Sequence, residues 1–131
     1  MARGKLIPPG RLVIAGKRLT CGSTPTMLRS FDGVSISSNV IVLNMDQLKH
    51  FPKLVQWLIY YHECGHINLG PSETEADCYA VRRARREGWL SDKALNEICA
   101  TFNIVGHGPV HPDPVQRCND LKQCLKRSRS P

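Results

Sequence analysis

The stretch His62-Glu63-Cys64-Gly65-His66 constrains this chain more than any other. On an α-helix, residues four apart share a face one turn apart. The two imidazoles are then about 40° apart around the axis, and both can reach one metal ion. Imidazole nitrogen is a ligand that zinc accepts readily. Glu63 is rotated about 100° from His62 and about 60° from His66 by the same geometry. It flanks such an ion without capping it, where a general base for an activated water belongs. The preceding run, Phe51 to Tyr61, is apolar almost all round after its first turn, so its helix passes through a core and does not lie on a surface. Pro52 suits a helix start and Gly70-Pro71 a helix stop, which gives a helix from Pro52 to about Leu69. Two histidines and a glutamate at its buried end need partners, because unpaired buried polar groups are costly; a metal ion is one such partner. Gly65 weakens a helix, and a close approach by a neighbouring element accounts for it.

The rest of the chain places this helix in an α+β fold. Residues 1–10, with Gly4, Pro8, Pro9 and Gly10, read as a flexible arm. Arg11 to Ala15 reads as a short strand ended by Gly16, and Cys21 to Pro25 as a turn. Asp32-Gly33 is a hairpin signal. It leads into an extended stretch that splits into Val34–Ile36 and Val40–Leu43. The N-terminal third is therefore expected to form a small sheet packed on a helical core. Asn44 or Asp46 can cap a short helix over Gln47 to His50. After the motif helix, Ser72 with Glu75 forms a capping box that opens a helix from Glu73 to about Glu87, stopped by Gly88. A further helix, Lys93 to about Phe102, carries Leu95, Ile98, Cys99 and Phe102 on one face. Gly106 to Pro114 reads as a loop and Val115 to about Lys126 as a last short helix. With 131 residues, one core is expected, in a single domain over 11–127 followed by a polar tail at 128–131.

A catalytic zinc usually has three protein ligands and one open position, so the two histidines need a third. Glu73, Glu75 and Asp77 stand at the start of the next helix. Glu73 and Asp77 share a face, whereas Glu75 lies about 200° from Glu73 and already serves the capping box. Glu73 is the expected ligand. Asp77 is expected to accept the spare N–H of His62 or His66 and so fix its tautomer. Cys64 lies about 200° from His62, and Cys78 about 140° from Glu73. Both fit a disulfide or a buried thiol better than a metal shell.

His62-Glu63-Cys64-Gly65-His66, followed by Glu73-Thr74-Glu75-Ala76-Asp77-Cys78-Tyr79-Ala80, resembles the gluzincin zinc metallopeptidases. The nearest resemblance is to the HtpX/CAAX-protease group and the ImmA/IrrE-like peptidases, with their Glu-x-x-Ala-Asp/Asn-x-x-Ala second helix. The resemblance covers roughly residues 34–84 and is specific at the two motifs. It implies a minimal zincin-like domain holding one zinc per chain, a peptide or protein substrate, and an ExxxD element matching Glu73 and Asp77. It also implies an edge strand, here Val40 to Leu43, that holds substrate in extended form. Only six residues separate His66 from Glu73, fewer than is usual in those families. Candidate donors to a tetrahedral oxyanion are Tyr60, Tyr61, His107 and His111, with no order among them.

The formal net charge is +7, which permits anionic contacts without requiring them. The Arg82, Arg83, Arg85, Arg86 run spreads round more than one helix face and reads as solvated surface. No aromatic residues interleave with it, so nucleic acid is not an expected partner. No run of about 18 apolar residues exists, hence no expected membrane span. Six cysteines, Cys21, Cys64, Cys78, Cys99, Cys118 and Cys124, favour disulfides and a periplasmic or secreted location, although Met1 to Pro9 lacks a signal-peptide hydrophobic region. At least one bridge is expected among Cys99, Cys118 and Cys124, or between one of these and Cys78. The sequence thus points to a zinc metallopeptidase. The alternatives are a non-catalytic zinc-containing binding module and a disulfide-stapled protein without metal. Oligomeric state stays open.

Overall fold

In the computed structural model, residues 4–29, 39–105 and 113–127 are described. Among them the fold is α+β, as expected. Strands β1 (Gly4–Ile7), β2 (Val13–Ile14), β3 (Lys17–Arg18), β4 (Thr26–Arg29) and β5 (Ile41–Asn44) precede helices α1 (Met45–Leu48), α2 (Lys53–Leu69), α3 (Glu73–Glu87), α4 (Asp92–Val105) and α5 (Pro114–Arg127). Three strands form a mixed sheet in the order β1-β4-β5. β1 runs antiparallel to β4 (Gly4 opposite Arg29), and β5 runs parallel to β4 (Ile41 opposite Thr26). The expected loose arm at 1–10 is thus corrected in part, because residues 4–7 pair with β4. That strand carries no alternating pattern, since its residues are mostly exposed, and the signal it would have left in the sequence is correspondingly weak. β4 likewise was not anticipated. The Asp32-Gly33 signal and Val34–Ile36 lie outside the described residues.

β2 and β3 form a two-stranded hairpin across Ala15 (φ 48°) and Gly16 (φ 83°), the pair of positive φ values that a tight type I′ turn requires. The hairpin is fastened to the core by buried Ile14, whose carbonyl accepts a hydrogen bond from the Trp57 indole (2.8 Å). Asn44 caps α1, its side-chain oxygen accepting from the Asp46 and Gln47 amides. α1 therefore starts two residues before the expected Gln47 and ends at Leu48.

α2 begins one residue later than expected, with Pro52 as its N-cap, and it is the core helix. Val55, Trp57, Leu58, Tyr60, Tyr61, His62, Cys64 and Gly65 are all buried along it. α3 packs antiparallel to α2 across a short turn at Gly70-Pro71 and presents Ala76, Ala80, Val81 and Ala84, each fully buried. The close approach inferred for Gly65 is to α3: a Cβ there would lie 2.8 Å from Ala76 Cα and 2.9 Å from Ala76 O. Small residues on both helices let the axes come together. α3 is bounded as expected, with Ser72 Oγ accepting from the Glu75 amide (3.2 Å) and Gly88 in the left-handed region (φ 87°) donating to the Ala84 and Arg85 carbonyls.

α4 and α5 close the helical side, burying Leu95, Ile98, Leu121 and Leu125. The arginine run divides. Arg82 and Arg86 are exposed, but Arg83 is not simply solvated. Its guanidinium sits over the Tyr61 ring (4.5 Å to the centroid) and donates to Thr20 Oγ1 (2.7 Å) and Tyr79 Oη (3.2 Å).

All six cysteines are paired: Cys21–Cys64, Cys78–Cys124 and Cys99–Cys118, with Cα separations of 5.7, 5.4 and 5.6 Å. These separations are ordinary for disulfides. The first ties α2 to the turn before β4, the second ties α3 to α5, and the third ties α4 to α5. With sequence separations of 43, 46 and 19 residues, chain-entropy reasoning assigns each about 3–4 kcal/mol of stabilisation. The two expected combinations around Cys99, Cys118, Cys124 and Cys78 are both present. Three disulfides point to an oxidising location. No helix among the described residues is long and apolar enough to cross a membrane.

Candidate metal centre

α2 and α3 bring His62, His66 and Glu73 together at the turn end of their hairpin. The helical period sets the two histidines on one face, and the tight turn after Leu69 returns the chain so that the first residue of α3 faces them. His62 is buried, while His66 and Glu73 are partly exposed. His62 Nε2 lies 3.1 Å from His66 Nε2 and 3.0 Å from Glu73 Oε2; His66 Nε2 lies 3.1 Å from Glu73 Oε1. Glu75 points to solvent, as the capping assignment required.

The far side of each imidazole decides what this triangle can do. His62 Nδ1–H donates to Asp77 Oδ1 at 2.6 Å. His66 Nδ1 lies 2.9 Å from the Gly70 carbonyl oxygen, which can only accept, so this nitrogen carries the proton. In the neutral rings both Nε2 atoms are therefore bare lone pairs, and they converge with a carboxylate within 3.0–3.1 Å. Four acceptors this close repel one another unless a cation sits among them. Donation of the distal ring N–H to a carboxylate or a backbone carbonyl is also how metal-binding histidines are oriented. Tetrahedral ligand atoms at zinc-type bond lengths are about 3.3 Å apart, so the triangle fits such an ion with only small adjustment. The group can hold a metal ion, and its two nitrogens and one carboxylate suit zinc among several transition metals.

A proton is the competitor. Burial pushes the His62 imidazole down, but the Asp77 hydrogen bond and charge, with the Glu63 charge, outweigh it and leave the pKa above its ordinary value. Burial alone would raise Asp77. The hydrogen bonds from His62 and Arg117 hold it below the usual carboxylate range instead.

Asp77 accepts the imidazole N–H expected of it, and His62 is the histidine that donates. Its second partner was missed: Arg117 of α5 donates from Nε to Oδ2 (2.8 Å) and from Nη2 to Oδ1 (2.9 Å). No spacing rule links residues 77 and 117, so only the packing of α5 on α3 reveals the pair. Glu63 is partly buried beside His62.

Two of the expected oxyanion donors are corrected. Tyr61 is buried, and its hydroxyl donates to Glu87 Oε2 (2.6 Å) at the opposite end of α3 from Glu73. Tyr60 is buried with its hydroxyl bonded to Thr26. Both rings were needed by the core, and α2 turns them toward the sheet and the C-terminal half of α3. His107 and His111 lie outside the described residues.

No family model, curated protein or solved structure matches the chain. The site's geometry and the motif resemblance therefore carry the functional argument by themselves.

Proposed function

We propose that this chain is a zinc-dependent metallopeptidase of gluzincin type, acting in an oxidising compartment such as the periplasm or the extracellular space. The observation that carries the reading is the convergence of the His62 and His66 Nε2 lone pairs with the Glu73 carboxylate, with both distal nitrogens committed to fixed acceptors. His62, His66 and Glu73 would hold the ion. Three protein ligands and an open position are the usual arrangement of catalytic zinc, whereas structural sites are closed by four. The bound metal supplies Lewis acidity, polarising a carbonyl and lowering the pKa of a water.

The chain's own residues do the rest. Glu63 Oε accepts the proton of the attacking water and delivers it to the leaving amine nitrogen. Asp77 keeps the His62 ring in the tautomer that leaves Nε2 bare. Gly70 O does the same for His66. β5, at one end of the strand order β1-β4-β5 and leading through α1 to the motif helix, is the element against which an extended peptide would lie.

The test is metal content followed by a peptide-library digest. One zinc per chain is expected, lost in His62→Ala/His66→Ala, with hydrolysis abolished in Glu63→Gln while zinc is retained. Zinc at full stoichiometry in the double mutant removes the metal assignment. A Glu63→Gln protein that cleaves as fast as wild type removes the catalytic one and leaves a binding module.

A further inference from the structure

We infer that Arg117 is a positioning residue for the metal centre and that two disulfides hold it there, so that metal affinity is coupled to the redox state of α5. The inference rests on the metal reading above and adds a control to it. Arg117 places two hydrogen bonds on Asp77, one to each carboxylate oxygen, and Asp77 Oδ1 in turn accepts from His62 Nδ1. With three donors the carboxylate has one orientation. Without the arginine it is a buried acid with the His62 ring as its single donor, free to turn about its last torsion and carry the imidazole with it.

The covalent frame around this pair is specific. Cys118, the residue after Arg117, is bonded to Cys99 of α4. Cys78, the residue after Asp77, is bonded to Cys124 of α5. Both members of the ion pair therefore sit beside a bridge that ends on α5. Exposure separates these bridges from the third. Cys118 and Cys78 are partly exposed, so each α5 bridge has one cysteine that is not fully buried. Cys21 and Cys64, which brace the motif helix itself, are 3% and 0% exposed. A dithiol would open the α5 bridges first. One thiolate attacks Sγ of Cys118 or Cys78 and the S–S bond breaks. The second thiol then resolves the mixed disulfide. Two cysteine thiols and an oxidised, cyclic disulfide form of the reductant result, with two electrons and two protons transferred per bridge. α5 is then held by packing and by the Arg117–Asp77 pair itself, and that pair loses its covalent tether while the Cys21–Cys64 brace on α2 stays closed.

The experiment is zinc affinity by chelator competition on the full chain. Oxidised wild type, Arg117→Ala, Arg117→Lys, a four-serine protein (Cys78→Ser, Cys99→Ser, Cys118→Ser, Cys124→Ser) and the four-serine protein with Arg117→Ala are compared. Serine avoids the new thiols that chemical reduction would offer to zinc. Arg117→Ala should lower affinity up to about 10-fold, less than the roughly 10–100-fold expected for losing Asp77, the direct partner of His62. Arg117→Lys, which keeps the charge but not the two-pronged contact, should recover part of that. The four-serine protein should show a loss of the same order, and adding Arg117→Ala to it should cost clearly less than it does in oxidised wild type, because the untethered contact is already weakened. Circular dichroism monitors folding. If the four-serine protein does not fold, Cys99→Ser/Cys118→Ser, which keeps the Cys78–Cys124 tether, carries the same cycle. Equal affinities in wild type and Arg117→Ala, or losses that simply add, overturn this inference and leave the metal centre standing. Absence of zinc binding by the oxidised wild type removes the metal centre and this inference together.

Discussion

Replacing Gly65 by alanine tests the link between helix packing and metal geometry. The new Cβ would meet Ala76 Cα at 2.8 Å, Ala76 O at 2.9 Å and Tyr79 Cβ at 3.1 Å. The first two are backbone atoms of a helix interior and cannot rotate away. Restoring ordinary contact means moving α2 and α3 apart by about 0.6 Å, given a van der Waals separation of roughly 3.5 Å between carbons. Alanine gains about 1 kcal/mol of helix propensity over glycine, and overpacking costs about 1–3 kcal/mol, so the net loss of stability is about 0–2 kcal/mol. The metal centre should suffer more than the fold. His66 follows Gly65 directly, and Glu73 is one turn before Ala76, so the separation opens the ligand triangle itself. Such constellations tolerate about 0.5 Å of displacement. Zinc affinity should fall at least about tenfold, while the urea midpoint moves little. Both are measured on the same protein, by chelator competition and by denaturant unfolding. A Gly65→Ala protein that binds zinc as tightly as wild type would show that the contact between α2 and α3 does not set the ligand geometry.

Further outcomes separate the carboxylates. Glu73→Gln should strip zinc and abolish hydrolysis, whereas Glu75→Gln should leave zinc in place and stability nearly unchanged, as glutamine still suits a capping box; chelator competition decides. Asp77→Asn should weaken zinc binding about 10–100-fold, read in the same assay. The acid limb of stability should involve Glu87. Burial alone would raise its pKa, but hydrogen bonds from Tyr61, Trp89 and Lys17 hold it below the usual value. A depressed carboxylate stabilises the fold above its unfolded pKa, near 4.3, and that contribution is lost as pH falls through the lower folded value. Wild type should thus exceed Glu87→Gln in stability at pH 6, with the gap closing on acidification below about pH 4.3; a gap constant with pH in denaturant titrations contradicts this. Peptide mapping under non-reducing conditions should recover Cys21–Cys64, Cys78–Cys124 and Cys99–Cys118 as the linked pairs.

Local chemistry made much of this protein legible from the chain alone. The bounds of α3 follow from Ser72 and Gly88, each of which acts within one turn of itself. The pairing of His62 with His66, the choice of Glu73 over Glu75, and the place of Asp77 all follow from the period of two helices joined by a turn too short to allow another arrangement. Gly65 announced a close neighbour, although not that the neighbour was Ala76. What only the tertiary structure decided is what joins distant segments. β1 is an exposed strand that exists through its pairing with β4, so it left no burial pattern in its own residues. Tyr60 and Tyr61 stand beside the motif in sequence, yet their hydroxyls meet Thr26 and Glu87 in distant segments, and these two rings fill the core instead of facing the metal ligands. The disulfide partners and the Arg117 contact on Asp77 span 19 to 46 residues. Over such distances no periodicity connects two side chains, and their meeting depends on how α5 packs against α3 and α4.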